Sequence, residues 1–295
     1  MSVFVQQLVD GIGQGSIYAL LALSLAVIFG VMHLVNFAHG ELITVSAYVA
    51  YGLSVAGYGW AVIIPAILVT SVITSIAIEF LAFRWVRGSD EFTMLLTSFG
   101  VHFVVSALFL MFVSPKPLSF PKPGWIFNTV NVAGISFEVF DLVTVAATLA
   151  TLYATAWVLR KTMFGITLRA ASLDFDAARL MGVRSNGVIR GAFAMAGVLA
   201  GVAGVFWLMR TGTASPTAGL TPLLFGVIAV VAGGLDSLRG AVVGGFALGI
   251  VQVMLRGFLP PQYSGLTEGL LFVLLALLFI FRPQGLITVS HAERV

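Results

Sequence analysis

Apolar residues in this chain run on continuously instead of alternating with polar ones. The runs cover 8–30, 41–58, 60–82, 92–113, 141–159, 190–209, 220–235, 240–257 and 266–281. Most reach the length of about 20 residues that a helix needs to cross a bilayer. Strands of a membrane barrel would show a period of two, which these runs lack. Inside lipid every backbone polar group must find a partner within the chain, so helices are the remaining solution. The pattern predicts an all-α integral membrane protein, a bundle of about 8–9 transmembrane helices. The second and seventh runs are short and interrupted by glycine. For them a re-entrant or broken helix stands beside a full span as an expectation.

Composition agrees with the pattern. Hydrophobic residues make up 59% of the 295 and charged residues only 9%, with a mean hydropathy of +1.07. A soluble domain carries about 25% charged residues, so the solvent of this surface is lipid. There is no cysteine, which removes disulfides and thiolate metal sites. The net charge of +3 matters through its placement and reads as topology, with no nucleic-acid partner. With the C-terminus in the cytoplasm, 11 of the 15 Lys and Arg residues fall inside; the opposite orientation leaves 4. The first run has no Lys or Arg before it, which argues against a cleaved leader. The expected organisation is a single transmembrane domain over 1–295. An external Pro-rich loop spans 114–140 as an extended or hairpin cover, and a cytoplasmic loop spans 160–189.

The cytoplasmic loop has its own pattern. Leu168 to Met181 holds no Gly or Pro and is rich in Ala, which predicts one continuous helix. Leu168, Ala171, Phe175 and Ala178 form an apolar stripe, with Arg169, Asp176 and Arg179 opposite. Gly182 should stop this helix, and Ser185-Asn186-Gly187 should turn into the next span. One reading is a helix lying in the headgroup layer. The other is a helix that docks into a groove of a cytoplasmic partner. Its mixture of acids and bases favours the second, since an anionic lipid surface selects mainly cations.

Other features carry less. Asn36, Phe37, His39, Gly40 and Glu41 form a polar interruption between long apolar runs. They suit a broken helix near a translocation path, or an ordinary turn in which Asn36 or His39 caps the second span. His33 and His39 lack the spacing of helical metal ligands. Gly197, Gly201 and Gly204, then Gly240, Gly244, Gly245 and Gly249, offer small faces for helix packing or a subunit interface. Gly11, Gly13, Gly15, Ser16 and Tyr18 open the first run and suit close packing or a pore-side groove. Glu79, Glu268, Arg210 and Arg256 lie near run ends, where side chains snorkel to water. No internal repeat is legible. No Walker sequence and no catalytic constellation occurs, so the chain is no enzyme and any ATP is bound elsewhere.

Four stretches together resemble one family. They are Gly165 to Val183, Val35 to Glu41, Gly233 to Gly245, and Phe281 to Leu286. Taken in chain order they are similar to the LivH-type permeases of bacterial branched-chain amino acid ABC importers, over about 8–287. The resemblance implies an ABC importer permease fold and gives Arg169, Ala170, Ser172, Asp174, Phe175, Ala178 and Gly182 an ATPase-coupling role. It implies a second, LivM-like permease, two cytoplasmic ATPases that bind ATP and Mg, and a periplasmic substrate-binding protein. The implied location is the bacterial inner membrane and the implied substrate a branched-chain amino acid. Urea, short amides and aromatic acids are the substrates of related systems. Arg239 stands where the family pattern has a proline, and the N-terminal extension of LivM-type partners is absent. From the residues alone, a passive channel or a secondary transporter stays open beside the importer. A secondary transporter would need intramembrane ionisable pairs.

Overall fold

The computed structural model describes residues 2–32, 35–132, 135–235, 237–282 and 285–287. Its helices are α1 (Ser2–Met32), α2 (Glu41–Val55), α3 (Trp60–Leu81), α4 (Glu91–Phe112), α5 (Val139–Lys161), α6 (Met163–Leu173), α7 (Phe175–Leu180), α8 (Ser185–Thr211), α9 (Leu220–Gly233), α10 (Leu238–Phe258) and α11 (Thr267–Phe281). Among the described residues, six segments are long and apolar enough to cross a membrane, carried by α1, α3, α4, α5, α8 and α10. The nine expected runs thus become six long helices and three short ones, α2, α9 and α11, of 15, 14 and 15 residues. At 1.5 Å per residue each short helix is about 22 Å long, less than the roughly 30 Å hydrocarbon core.

Helix α1 is the axis of the bundle. In its most apolar window 89% of residues are buried, against 17% for α4 and 22% for α5. An α-helix apolar on all sides must be surrounded, and α10, α8, α9 and α5 surround it. Lipid tails are as apolar as leucine, so close packing holds these helices together instead of hydrophobic expulsion. Glycine supplies the close approach. A Cβ on Gly245 would collide with the backbone of Ala19, and one on Gly249 with Gly15. Gly240 and Gly244 face α9, at Gly233 and Ala229. On α8, a Cβ at Gly197 would stand 2.9 Å from Val72 Cα, and one at Gly201 3.1 Å from Ser71 Cβ. There the Ser71 hydroxyl donates to the Gly197 carbonyl (2.8 Å) and the Ser75 hydroxyl to that of Phe193 (2.6 Å). Gly204 is the loosest, with Ile43 Cγ1 at 3.6 Å. All of these glycines therefore pack helices of the same chain.

The second half repeats the first in element order: a long helix, a break, a short helix, a long helix. α1 packs on α10 as α8 packs on α3. α1 and α8 run antiparallel, since Ser24 meets Ala196 while Gln14 meets Arg210. The two breaks lie back to back. Gly212, at φ +64°, ends α8 in the left-handed conformation that glycine tolerates. A Cβ on Gly40 or on Gly219 would strike the other's carbonyl, and the Gly219 N–H donates to Thr44 Oγ1 (3.1 Å). The expected capping of the second span by Asn36 or His39 is corrected. Asn36 caps the single 3₁₀ turn Phe37–Gly40, and α2 starts from Gly40 with no side-chain cap.

The Pro-rich stretch closes one end. β1 (Leu118–Ser119) pairs with β4 (Thr213–Ala214), and β2 (Thr129–Val132) with β3 (Ile135–Glu138), the hairpin of the sequence expectation. A 3₁₀ turn, Gly124–Phe127, lies between β1 and β2. Trp60 Nε1 donates to the Pro121 carbonyl (3.1 Å), and Gln6 bonds the Ser136 backbone. This cover thus ties the starts of α1 and α3 to the end of α8.

The packing argument predicts a contrast between two glycines. Gly245→Ala puts a methyl into the α1 backbone and lowers stability by about 1–3 kcal/mol. Gly100→Ala, with nothing within 4 Å of its added Cβ, is neutral or stabilising by up to about 1 kcal/mol. Thermal unfolding of the two purified variants in one detergent checks this. Equal melting temperatures would contradict the close α1–α10 seam.

Candidate functional site

The arginines gather at the end opposite the Pro-rich cover. There α3, α5 and α9 finish and α8 and α10 begin. The segment between α5 and α8 lies across this end. Thr162 opens α6, its hydroxyl accepting from the Gly165 N–H (3.2 Å). The predicted single helix over Leu168–Met181 is in fact two. Asp174 leaves the helix at φ −157°, and its carboxylate accepts from the Ala177 N–H (2.9 Å), capping α7. A side-chain cap contributes about 1 kcal/mol, more than the propensity differences that favoured one unbroken helix. Gly182 stops α7 as expected. At φ +86° it completes a Schellman turn, with Val183 N–H to the Ala178 carbonyl (3.1 Å) and Gly182 N–H to that of Arg179 (2.9 Å). Ser185-Asn186-Gly187 is not a turn but the first turn of α8, where free N–H groups suit polar residues.

The apolar stripe also turns out differently placed. Leu168, Ala171 and Ala178 are buried and Phe175 half-buried against the chain's own bundle. What faces outward is Leu173, Leu180 and Met181, 78%, 89% and 86% exposed, beside exposed Arg169, Ala170 and Asp174. Ser172 is half-buried.

A cleft of about 880 Å³ opens between α1, α5, α6 and α10. Leu23, Val27 and Val31 form its floor, Leu152 and Leu159 one wall, Leu238 and Val242 the other. Leu168, Arg169 and Ser172 of α6 close it at the arginine-rich end, with Arg160 and Arg239 on the same lining. The glycine-rich segment and the C-terminal signature meet at this end too. Leu286 and Ile287 N–H groups donate to the Ala232 and Gly233 carbonyls (2.9 and 3.1 Å), and Gly285 lies against Gly234. Leu235, Ser237 and Ile287 reach the cleft. Two of the four motif stretches therefore line one cavity, and the C-terminal stretch adjoins it through the next residue, Ile287. Asp236, Pro283 and Gln284 lie outside the described residues. Arg239 is the second residue of α10, after the Ser237 cap. A backbone N–H there has no helical partner, so an arginine in place of proline leaves the helix start intact.

The fourth stretch sits elsewhere. Asn36, His39 and Glu41 are buried, Gly40 packs on Gly219, and neither these four nor Phe37 lines the cleft. His39 Nε2 shares a hydrogen bond with Ser24 Oγ (2.7 Å), and Glu41 Oε1 pairs with His102 Nδ1 (2.5 Å). Phe37 stacks on Phe99 at 4.3 Å. Ser106 of α4 donates to the Pro216 carbonyl (3.0 Å) in the second break, so α4 is held by both breaks. His33 lies outside the described residues. No group of three or more metal-ligating side chains occurs among those described.

Glu79 departs most from expectation. It does not snorkel; it is fully buried and pairs with Arg87 and with Arg190 Nε (3.6 Å). The sequence holds a signal for this, an acid one turn before the end of an apolar run with arginines at 84 and 87 beyond it. Arg210 bonds Gln14, while Glu268 and Arg256 are exposed as run ends should be.

Comparison with known proteins assigns the arrangement. The profile described as "Branched-chain amino acid transport system / permease component" matches residues 7–276. The high-affinity branched-chain amino acid transport system permease protein BraD of Pseudomonas aeruginosa is 28% identical over 305 residues, 99% of this chain and 98% of BraD. The corresponding protein LivH of Escherichia coli K12 is also 28% identical, over 313 residues, at 99% and 98% coverage. Among solved structures, one described as an inward-facing conformation of a metal-chelate-type ABC transporter superposes with a TM-score of 0.50. It shares 18% identity and covers 94% of this chain and 85% of its own, a likeness of fold. The chain belongs to the family of permease components of branched-chain amino acid transport systems, multi-pass membrane proteins that transport and do not catalyse.

Proposed function

We infer that this chain is one of two permease subunits in an ATP-driven importer of branched-chain amino acids. Its mate is a second, LivM-like permease. Two cytoplasmic ATPases supply the nucleotide chemistry, and a periplasmic binding protein delivers substrate. The branched-chain amino acid transport named for the relatives matched over 99% of this chain supports the substrate class. The excess of Lys and Arg at one end supports a cytoplasmic position for that end and a periplasmic one for the Pro-rich cover. The whole chain then acts as one transmembrane domain.

One observation carries the coupling role: the exposed apolar side chains Leu173, Leu180 and Met181 on α6–α7, set among charges at the cytoplasmic end. Each such side chain gains about 1.5–3 kcal/mol on full burial, so a groove on a partner is their natural complement. A passive channel or a self-contained carrier has no use for this surface. Arg169, Ala170, Ser172, Asp174, Phe175, Ala178 and Gly182 divide the work. Phe175 and Ala178 anchor the segment to the bundle, Asp174 and Gly182 shape α7, and Arg169 and Ala170 face the ATPase. Ser172 and Arg169 also line the cleft. A push on α6 therefore moves a wall of the cavity between α1, α5 and α10. The ATPases shift the equilibrium only if they bind one permease conformation better in each nucleotide state. The apolar lining suits an aliphatic side chain in transit, with affinity residing in the binding protein.

Two expected outcomes follow. The chain has no native cysteine, so Leu180→Cys and Met181→Cys each introduce a unique thiol. Each should cross-link to an ATPase in native membranes, while Phe127→Cys should not; equal adducts from all three would sink the docking reading. In reconstituted vesicles with ATP, ATPases and binding protein, leucine uptake should survive Asp174→Asn, which keeps the cap. It should fall several-fold in Asp174→Ala, which loses about 1 kcal/mol of helix capping, and in Arg169→Glu. Normal uptake by both latter variants would remove the coupling role.

A further inference from the structure

We propose that Glu79 is a positioning residue that passes movement of the coupling segment to α4. The inference rests on the importer reading above. Only residues 181–184 separate α7 from α8, and the Schellman turn makes that link short and stiff. The first two turns of α8 place Asn186 and Arg190 on one face, four residues apart. Both reach the same cluster. Arg190 Nε lies 3.6 Å from Glu79, and Asn186 Oδ1 accepts from Arg87 Nη1 (2.6 Å). Arg87 belongs to the turn between α3 and α4 and pairs with Glu79 in turn. The Arg84 and Arg190 guanidiniums also lie over the Phe80 ring, at 5.2 and 6.0 Å. One carboxylate thus joins the end of α3, the approach to α4 and the start of α8.

The balance of charge makes Glu79 the keystone. One buried anion faces two cations from different elements. A buried carboxylate is tolerated only while paired, and removing it leaves Arg87 and Arg190 repelling each other. Elsewhere α3 and α8 are already locked by Ser71, Ser75 and the glycines of α8. What the cluster adds is the α3–α4 turn, and through it α4, the least buried of the long helices. With Glu79 in place, α4 follows α8 when the ATPases move α6–α7. Without it, α8 moves and α4 lags.

The test uses the complete importer purified with its partners from the native host and reconstituted in vesicles. Uptake and ATP hydrolysis are measured together. In Glu79→Gln, hydrolysis should persist while uptake falls about tenfold, raising ATP consumed per substrate moved. Glu79→Asp should restore part of the ratio. A merely structural role lowers both rates in proportion and leaves the ratio unchanged, which would overturn the inference. If Glu79→Gln does not assemble, exposed Asn186→Ala replaces it, with a rise in the ratio expected and an unchanged ratio overturning. A wild-type complex that imports nothing on ATP would overturn the importer reading and this inference together. A coupled wild type beside an unshifted ratio in the variants would overturn this inference alone.

Discussion

A backbone that leaves the helix inside a membrane must find its hydrogen-bond partners within the protein. This chain leaves it twice, after α1 and after α8, and it meets the demand by setting the two breaks against each other. Gly219 donates to Thr44, Ala38 to Asn36 Oδ1, and His39 N–H to the Asn36 carbonyl. Gly40 and Gly219 approach too closely for any side chain. Four buried polar residues, Ser24, His39, Glu41 and His102, pair around this junction. Much of the molecule depends on it. The short helices α2 and α9 grow from the breaks, and α4 hangs on both of them.

Around that junction the packing is governed by small residues. α1 is sheathed because its neighbours present glycine where it approaches, and α3 meets α8 through serine hydroxyls and glycine. Such seams resist deformation, so conformational change must concentrate where the packing is open. The open places are the cleft beside α1, the lightly buried α4 and α5, and the segment α6–α7 that spans them. Most charges sit at the ends, and Glu79, fully buried at one of them, is covered by two arginines.

Much of this was legible in the sequence. Long continuous apolar runs fixed the helical class, because a backbone in lipid is satisfied only in helices or closed barrels and barrel strands would alternate with period two. Gly182 announced its turn and the prolines their hairpin cover. The glycine pairs read as packing faces, though not against which helix. What escaped was decided by single side chains or by distant contacts. Asp174 breaks a stretch that alanine propensity favours as one helix, since its carboxylate caps the next turn. Ser185-Asn186-Gly187 reads as a turn until Arg184 accepts the first helical bond. The stripe of Leu168, Ala171, Phe175 and Ala178 has helical period whether it faces the bundle or a partner. Periodicity alone does not say which. The repeat of the two halves lies in helix partners and not in residues, so composition carries no trace of it.

On the proposed coupling role, α6 moves a wall of the cleft under ATPase control. Spin labels on Ala156→Cys and Val243→Cys, both lining the cavity, measure its width directly in the assembled importer. Different distance distributions are expected in nucleotide-free and ATP-trapped samples. Identical distributions in a preparation that hydrolyses ATP and imports substrate would contradict that role.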